Sequence, residues 1–460
     1  MSGIFHALQT TSNTLDAFSR AIETEGLNIS NASSPGWAAL RVAVRPVGFS
    51  GADSRDVVDI TSTGSARADA VVRDATAQSS YSQTSSGQIS PVNQLLDITG
   101  TTGILAALRD FSSAFGKAAL SPNDSALRAT GLDTARNVAL AFNRAAASLD
   151  SIQNRVDTHI QATVRQINTI SSTIAGYNVR LRGRTDFDPQ LDANLRSAID
   201  SLSSIVDIST SRNQDGTVTV LAGATLPLVS EDQTWALGVN PGAPVGTQVT
   251  STGGGAPPSK LLGSLGGLLS VRNNVVSALI GANGQAGSLN VLASGFASRV
   301  NTLLRSGVTA SGTAGLPIFT WDSVNPANAA RTLAIDPAVG PTDLALATTG
   351  AGAQSNGIAN QLAALSTSTA AADQIAGLSA EGLFANIAAG VGQRTADAAA
   401  SAQLDRSAQT TAENDRQQVS GVSLDREAIL LTAGQRAYEA AAKLFSTLNQ
   451  ITETEVNLIK

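Results

Sequence analysis

Apolar positions recur at alternating steps of four and three at both ends of the chain. Near the N-terminus, Ile4, Leu8, Thr11, Leu15, Phe18, Ile22, Glu25 and Ile29 form one seam, the spacing by which one helix packs lengthwise on another. The seam stops at Asn31-Ala-Ser-Ser-Pro35-Gly36-Trp37, where proline and glycine predict a helix end and a turn. At the other end, Leu424, Ala428, Leu431, Gln435, Tyr438, Ala442, Phe445, Asn449, Thr452, Val456 and Ile459 make a seam of the same kind. Leu430, Ala437, Ala441, Leu444, Leu448, Ile451 and Leu458 form a second stripe beside it. One stripe suffices to bury a helix against one neighbour. Two stripes predict contact with a partner helix of the same chain and with neighbouring subunits. The simplest arrangement pairs the two ends antiparallel and projects everything between them as an insertion. At about 1.5 Å per residue, a helix from Leu424 to the end spans roughly 55 Å.

Between the ends the period changes several times. Valines alternate with polar residues over 39–60, which predicts an extended, partly paired segment. A helical block follows over 66–182, with expected interruptions at Pro91, 100–103 and 121–124. Its longest piece keeps one apolar face from Ala139 and Phe142 to Ile170 and Ile174, a length typical of bundles and coiled coils. Leu191, Leu195, Ile199, Leu202 and Ile205 then mark a second helix. Alternating runs around Ile208 and Val218 flank Arg-Asn-Gln-Asp-Gly, a hairpin signal with Gly216 in the left-handed conformation. Helical pattern returns over 261–304 and again from 353 nearly to the end.

These readings give a mainly α fold with small β insertions. Residues 1–60 and 419–460 form a terminal domain of paired coiled-coil helices. A long helical bundle occupies 61–205 and is rejoined by 261–305 and 351–418. A small β-hairpin unit lies at 206–260 and a small β-rich insertion at 306–350.

Composition narrows the chemistry. The 460 residues carry a net charge of −6, so no general field attracts nucleic acid or an anionic membrane. The chain has no cysteine, which excludes disulfides, thiolate metal sites and cysteine nucleophiles. The two histidines, His6 and His159, read as exposed helix residues, and no His-Glu-x-x-His helix appears. Gly263-Ser-Leu-Gly266-Gly267 lacks the lysine of a phosphate loop and reads as a loop or a tight helix contact. Asp186 and Asp188 beside Pro189 suit a turn and a helix cap better than an acid–base pair. Arg180, Arg182 and Arg184 read as a solvated helix end. Trp235, Phe319 and Trp321 read as core anchors of the insertions. Neither a cofactor nor a metal is expected, and no catalytic group stands out. The first residues lack the basic cluster and apolar run of a cleaved signal, and no stretch has the length of a membrane span. Cores of alanine, serine and threonine bury little area per residue, so isolated helices are marginal.

The N-terminal pattern Leu27-Asn28-Ile29-Ser30-Asn31-Ala32-Ser33-Ser34-Pro35-Gly36-Trp37 resembles the signature of flagellar rod, hook and hook-associated proteins. It differs by Ser30 for alanine, Ser34 for threonine and Trp37 for tyrosine, changes that keep the turn chemistry. The C-terminal run from Ser420-Gly421-Val422-Ser423-Leu424-Asp425 to Tyr438-Glu439-Ala440-Ala441-Ala442-Lys443 resembles the same group, and most of all its hook-associated protein 1 branch. Ser121-Pro-Asn-Asp, Tyr177-Asn178, Asp215-Gly216-Thr217-Val218 and Leu228-Val229 resemble that branch in the interior. The resemblance implies a structural subunit at the hook–filament junction that self-associates in a ring. It implies the hook protein and a second junction protein as partners, and an export chaperone on the C-terminal segment. Export without a cleaved signal, through the flagellar type III channel to the cell exterior, goes with it. The expected assembly interface comprises Ile4, Leu8, Leu15, Phe18, Ile22, Asn28, Asn31, Pro35, Gly36 and Trp37. From the other end it takes Leu424, Leu431, Gln435, Tyr438, Ala442, Phe445, Leu448, Ile451, Val456 and Ile459. Another axial component is the nearer alternative, and a peptidoglycan hydrolase the more distant one.

Overall fold

The computed structural model describes residues 2–47, 55–96, 101–184, 186–241, 246–282, 284–352 and 354–458. In chain order the helices are α1 (Ser2–Asn31), α2 (Ala66–Leu95), α3 (Ile104–Leu120), α4 (Ser125–Leu181), α5 (Pro189–Ile205), α6 (Gly263–Val271), α7 (Ser277–Ile280), α8 (Ser288–Arg305), α9 (Ala329–Thr332), α10 (Gly357–Ala364), α11 (Ala380–Ser420) and α12 (Leu424–Leu458). The strands β1 (Leu40–Val47) and β2 (Arg55–Ser62) follow α1; β3 (Ile208–Arg212), β4 (Val218–Ala222), β5 (Leu226–Ser230), β6 (Gln233–Thr234), β7 (Leu237–Asn240) and β8 (Gln248–Ser251) follow α5. Two compact units result, one from Met1–Ser79, Ile167–Ala236 and Asp405–Lys460, the other from Ser80–Gln166 and Leu237–Leu404.

The first unit holds both ends of the chain. α1 packs along α12, and the direction is antiparallel: Asn28 meets Glu427 while Gly434 lies beside Ile22. After the turn at Pro35-Gly36, β1 and β2 pair antiparallel from Leu40↔Ser62 to Val47↔Arg55. Gly36 has φ +76°, and a β-carbon there would collide with the Ala193 carbonyl; the Pro-Gly turn can seat on α5 only without a side chain. α5 starts where the sequence places it, because Asp188 accepts a hydrogen bond from the Leu191 amide at 3.0 Å and Pro189 occupies the first turn. The four-stranded antiparallel sheet has the order β3-β4-β5-β6. Gly216 turns between β3 and β4 at φ +85°, as the hairpin signal requires. Val218, Val220 and Ala222 bury one face of β4. Asn178, fully buried near the end of α4, donates to the carbonyls of Val218 and Glu231, both at 2.7 Å, and fixes the sheet to the helix.

The second unit has an aromatic core. Phe111 meets Phe115 and Phe296 at ring-centroid distances of 4.5 and 5.2 Å, and Phe296 meets Phe319 at 6.2 Å. Buried Arg128 donates to the carbonyls of Pro122 and Leu344, each at 2.6 Å. Gly266 and Gly267 sit where a side chain would strike Leu261, Tyr81 or Thr84, so the glycine-rich stretch is a tight helix contact. The strand-like part of 306–350 consists of two-residue pairs, Gly307–Val308 with Ala347–Thr348 and Phe319–Thr320 with Ala334–Ile335.

Three expectations need correction. α2 runs through Pro91 without a break. Proline inside a helix costs about 3 kcal/mol, and the burial of Ile89 and Val92 on either side holds the helix through it. The helical pattern read from 353 onward is broken between α10 and α11, where Ala376 and Gly377 both take positive φ and Ile375 bridges Leu378. Of the aromatic anchors, Phe319 is 2% exposed, but Trp235 and Trp321 are only half-buried.

Candidate assembly interface

Polar residues make the joint between the chain ends. Asn28 is wholly buried one turn before α1 ends. Its amide nitrogen donates to the Leu40 carbonyl at 3.1 Å and to Glu427 Oε2 at 2.9 Å, and its oxygen accepts from the Leu40 amide at 2.8 Å. The Trp37 indole N–H also reaches that oxygen, at 3.4 Å. Arg41, at the start of β1, pairs with Glu427 at 3.0 Å. One asparagine therefore ties α1, β1 and α12 together, and the signature turn is the loop it closes. Asn31 donates to the Leu27 carbonyl and accepts from Ser34 Oγ, which shapes the turn itself.

A second ionic group lies under the turn. Arg196 on α5 bonds Asp192 at 2.9 Å and Asp69 of α2 at 3.1 Å. Asp200 accepts from Arg73 at 2.8 Å and from Arg416 at 2.7 Å, while Arg212 reaches Asp192 at 2.7 Å. Burial pushes the Asp69 carboxyl up, against the pull of Arg196 and Arg73. With residues 32–38, Asp69, Arg196, Asp200 and Arg416 line a cavity of about 200 Å³. Every charge there has an opposite partner, so the cluster braces the turn.

Of the expected interface, Ile4, Leu8, Leu15, Phe18 and Ile22 are half-buried on α1. Asn28 is buried, Asn31, Gly36 and Trp37 are half-buried, and Pro35 is exposed. On α12, Leu431, Ala442, Phe445 and Leu448 are half-buried, whereas Leu424, Gln435, Tyr438, Ile451 and Val456 are exposed. Ile459 lies outside the described residues. The face towards α1 runs through Glu427, Leu431, Gly434, Phe445 and Leu448. At about 100° per residue, Tyr438 and Val456 fall within that face and Leu424 at its border, whereas Ile429, Leu444 and Ile451 lie round from it on one side. Tyr438 is 40% exposed, Leu444 54% and Ile429 70%. One apolar flank, formed by Ile429, Leu444 and Ile451, thus faces away from the partner helix.

Sequence reading did not single out Glu427 as a joint residue. It also missed Arg41, and it placed Glu25 in the seam without a role. The signal was present: a glutamate at a seam position between Ile22 and Ile29 must find a buried partner. His6 and His159 are exposed. Among the described residues no group of acidic and histidine side chains is arranged to hold a metal, and no helix is long and apolar enough to cross a membrane.

Residues 89–319, half of the chain, match the family described as the flagellar hook-associated protein FlgK helical domain. Residues 416–458 match the C-terminal region of the flagellar basal body rod FlgEFG proteins. Flagellar hook-associated protein 1 of Bacillus subtilis (strain 168) is 25% identical over 99% of each chain. The solved structure of the flagellar hook junction protein FlgK from Burkholderia pseudomallei shares the fold, with a TM-score of 0.66 at 15% identity. It covers 76% of this chain and all of that one.

Proposed function

Because this chain belongs to the flagellar hook-associated protein FlgK family, we propose that it is a structural subunit of the junction between hook and filament. The observation that carries this reading is α12, which pairs with α1 on one face and leaves Ile429, Leu444 and Ile451 exposed on a flank away from it. A helix that served one chain alone needs a single apolar stripe. Neighbouring copies cover that flank, and the terminal helices assemble into a ring. The names of the relatives in Bacillus and Burkholderia support the junction. The rod-protein match over 416–458 fits an assembly helix shared among axial proteins, and the helical-domain match favours the hook-associated branch over hook or rod.

The subunit meets the hook protein on one side and the second junction protein on the other. An export chaperone holds the C-terminal segment before assembly, and the chain leaves the cell through the flagellar export channel without cleavage. The role is mechanical, with no reaction catalysed. The double variant Leu444→Ser, Ile451→Ser tests it. The purified variant is expected to unfold like the parent, while cells carrying it make hooks without filaments and release flagellin into the medium. Filaments of normal length on such cells would refute the reading.

A further inference from the structure

Two carboxyl groups from opposite ends of the chain meet inside the joint. Glu25 on α1 is 8% exposed and Glu427 on α12 is fully buried. Glu25 lies one turn before Asn28, which bonds Glu427, so the two carboxyls are neighbours. A hydrogen bond between them needs one proton, since two ionised carboxylates have none to donate. Glu427 already accepts from Asn28 and from Arg41. Glu25 Oε2 is buried with no donor directed at it, so an ionised Glu25 leaves a desolvated negative oxygen unsatisfied.

The charges around the pair give the same count. Arg41 from β1 is the cation that acts on both groups, and one cation balances one carboxylate. On α1 itself Glu23 is exposed and Arg20 bonds Asp16. On α12, Asp425 and Arg426 are exposed. β2, which also packs on α1, brings Asp59 to the position opposite Ala43.

We propose that Glu25 and Glu427 hold one proton between them, and that this proton locks the terminal helices together, so that the joint loosens as the solution turns alkaline. The proton sits on Glu25. Burial, then the neighbouring Glu427, push its carboxyl up to about 7. Burial alone would raise Glu427 too, but hydrogen bonds from Glu25, Asn28 and Arg41 hold it below the usual range. Above the ordinary glutamate pKa of 4.5, the unfolded chain gives up the Glu25 proton while the joint keeps it. Joint stability therefore falls as pH rises from 4.5 to about 7 and continues level beyond. In acid, protonation of Glu427 weakens its bond to Arg41 and sets a lower limit.

Hydrogen exchange on the full chain, corrected for the intrinsic effect of pH, reads the lock directly at residues 19–30 and 424–440. Between pH 6 and 8.5 protection there should fall roughly tenfold, the ratio given by a displacement from 4.5 to about 7. In E25Q it should not change with pH, and at pH 8.5 it should exceed the parent's. PH-independent protection in the parent, or the same fall in E25Q, overturns the proposal. Should E25Q fold poorly, carboxyl carbon-13 titration of the glutamate-labelled parent decides alone. One carboxyl with a midpoint near 7 supports the lock, and midpoints all below about 5.5 overturn it.

Discussion

The aromatic core and the terminal joint hold their helices by opposite means. Around α3 and α8, Phe111, Phe115 and Phe296 are at most 1% exposed, packed ring against ring. Along α12, Glu427 is the one fully buried side chain among the described residues. Apolar burial needs no exact register, and a side chain buried within its own chain stays buried before any partner arrives. The joint relies on Asn28, Arg41 and two carboxyls, whose hydrogen bonds depend on position and proton count. A region with its own apolar core carries its buried area with it, whereas a helix pair with a polar clasp and a bare flank is specific in register but short of buried area.

The sharpest way to break this contrast is at the aromatic core. Phe296→Ala removes a ring in contact with both Phe111 and Phe319 and should cost about 3–5 kcal/mol, read as a lower urea midpoint for the unit containing α8. Asn28→Ala leaves the Leu40 amide and carbonyl without their side-chain partner. It should cost about 2–3 kcal/mol, confined to exchange at α1 and α12, with the urea midpoint of the aromatic unit unchanged. A fall of that midpoint by the same amount would show that the two regions are not separable in stability. Ile451→Ser should sit at the small end, within about 0.5 kcal/mol in the isolated chain, because Ile451 is 45% exposed.

Much of the terminal architecture was legible, because its signals are local. The four-three seam predicted α1, Pro35-Gly36 its end, the alternating valines a paired extended segment, and Gly216 the β3–β4 turn. The antiparallel pairing of the ends followed from two seams of like spacing. Partners distant in the chain were not legible. Asp69, Asp200 and Arg416 form one cluster across 347 positions of sequence, and opposite charges so spaced carry no pattern. The rotation of α12 was hidden for another reason. Its two stripes are both apolar, so periodicity marks two faces and cannot say which one α1 covers. The bridging Glu427, polar and fully buried, marks that face in the structure. Pro91 misled because a breaker acts on local preference, which the packing of Ile89 and Val92 overrides.

The central claim is that the terminal helix pair is incomplete in the isolated subunit, and hydrogen exchange on purified monomer at pH 6 tests it most directly. The account predicts slow exchange around Phe111 and Phe296, intermediate exchange beside Asn28 and Glu427, and fast exchange over 440–458, with protection of that last segment gained on assembly. Protection over 440–458 equal to that of the aromatic core in the monomer would contradict it.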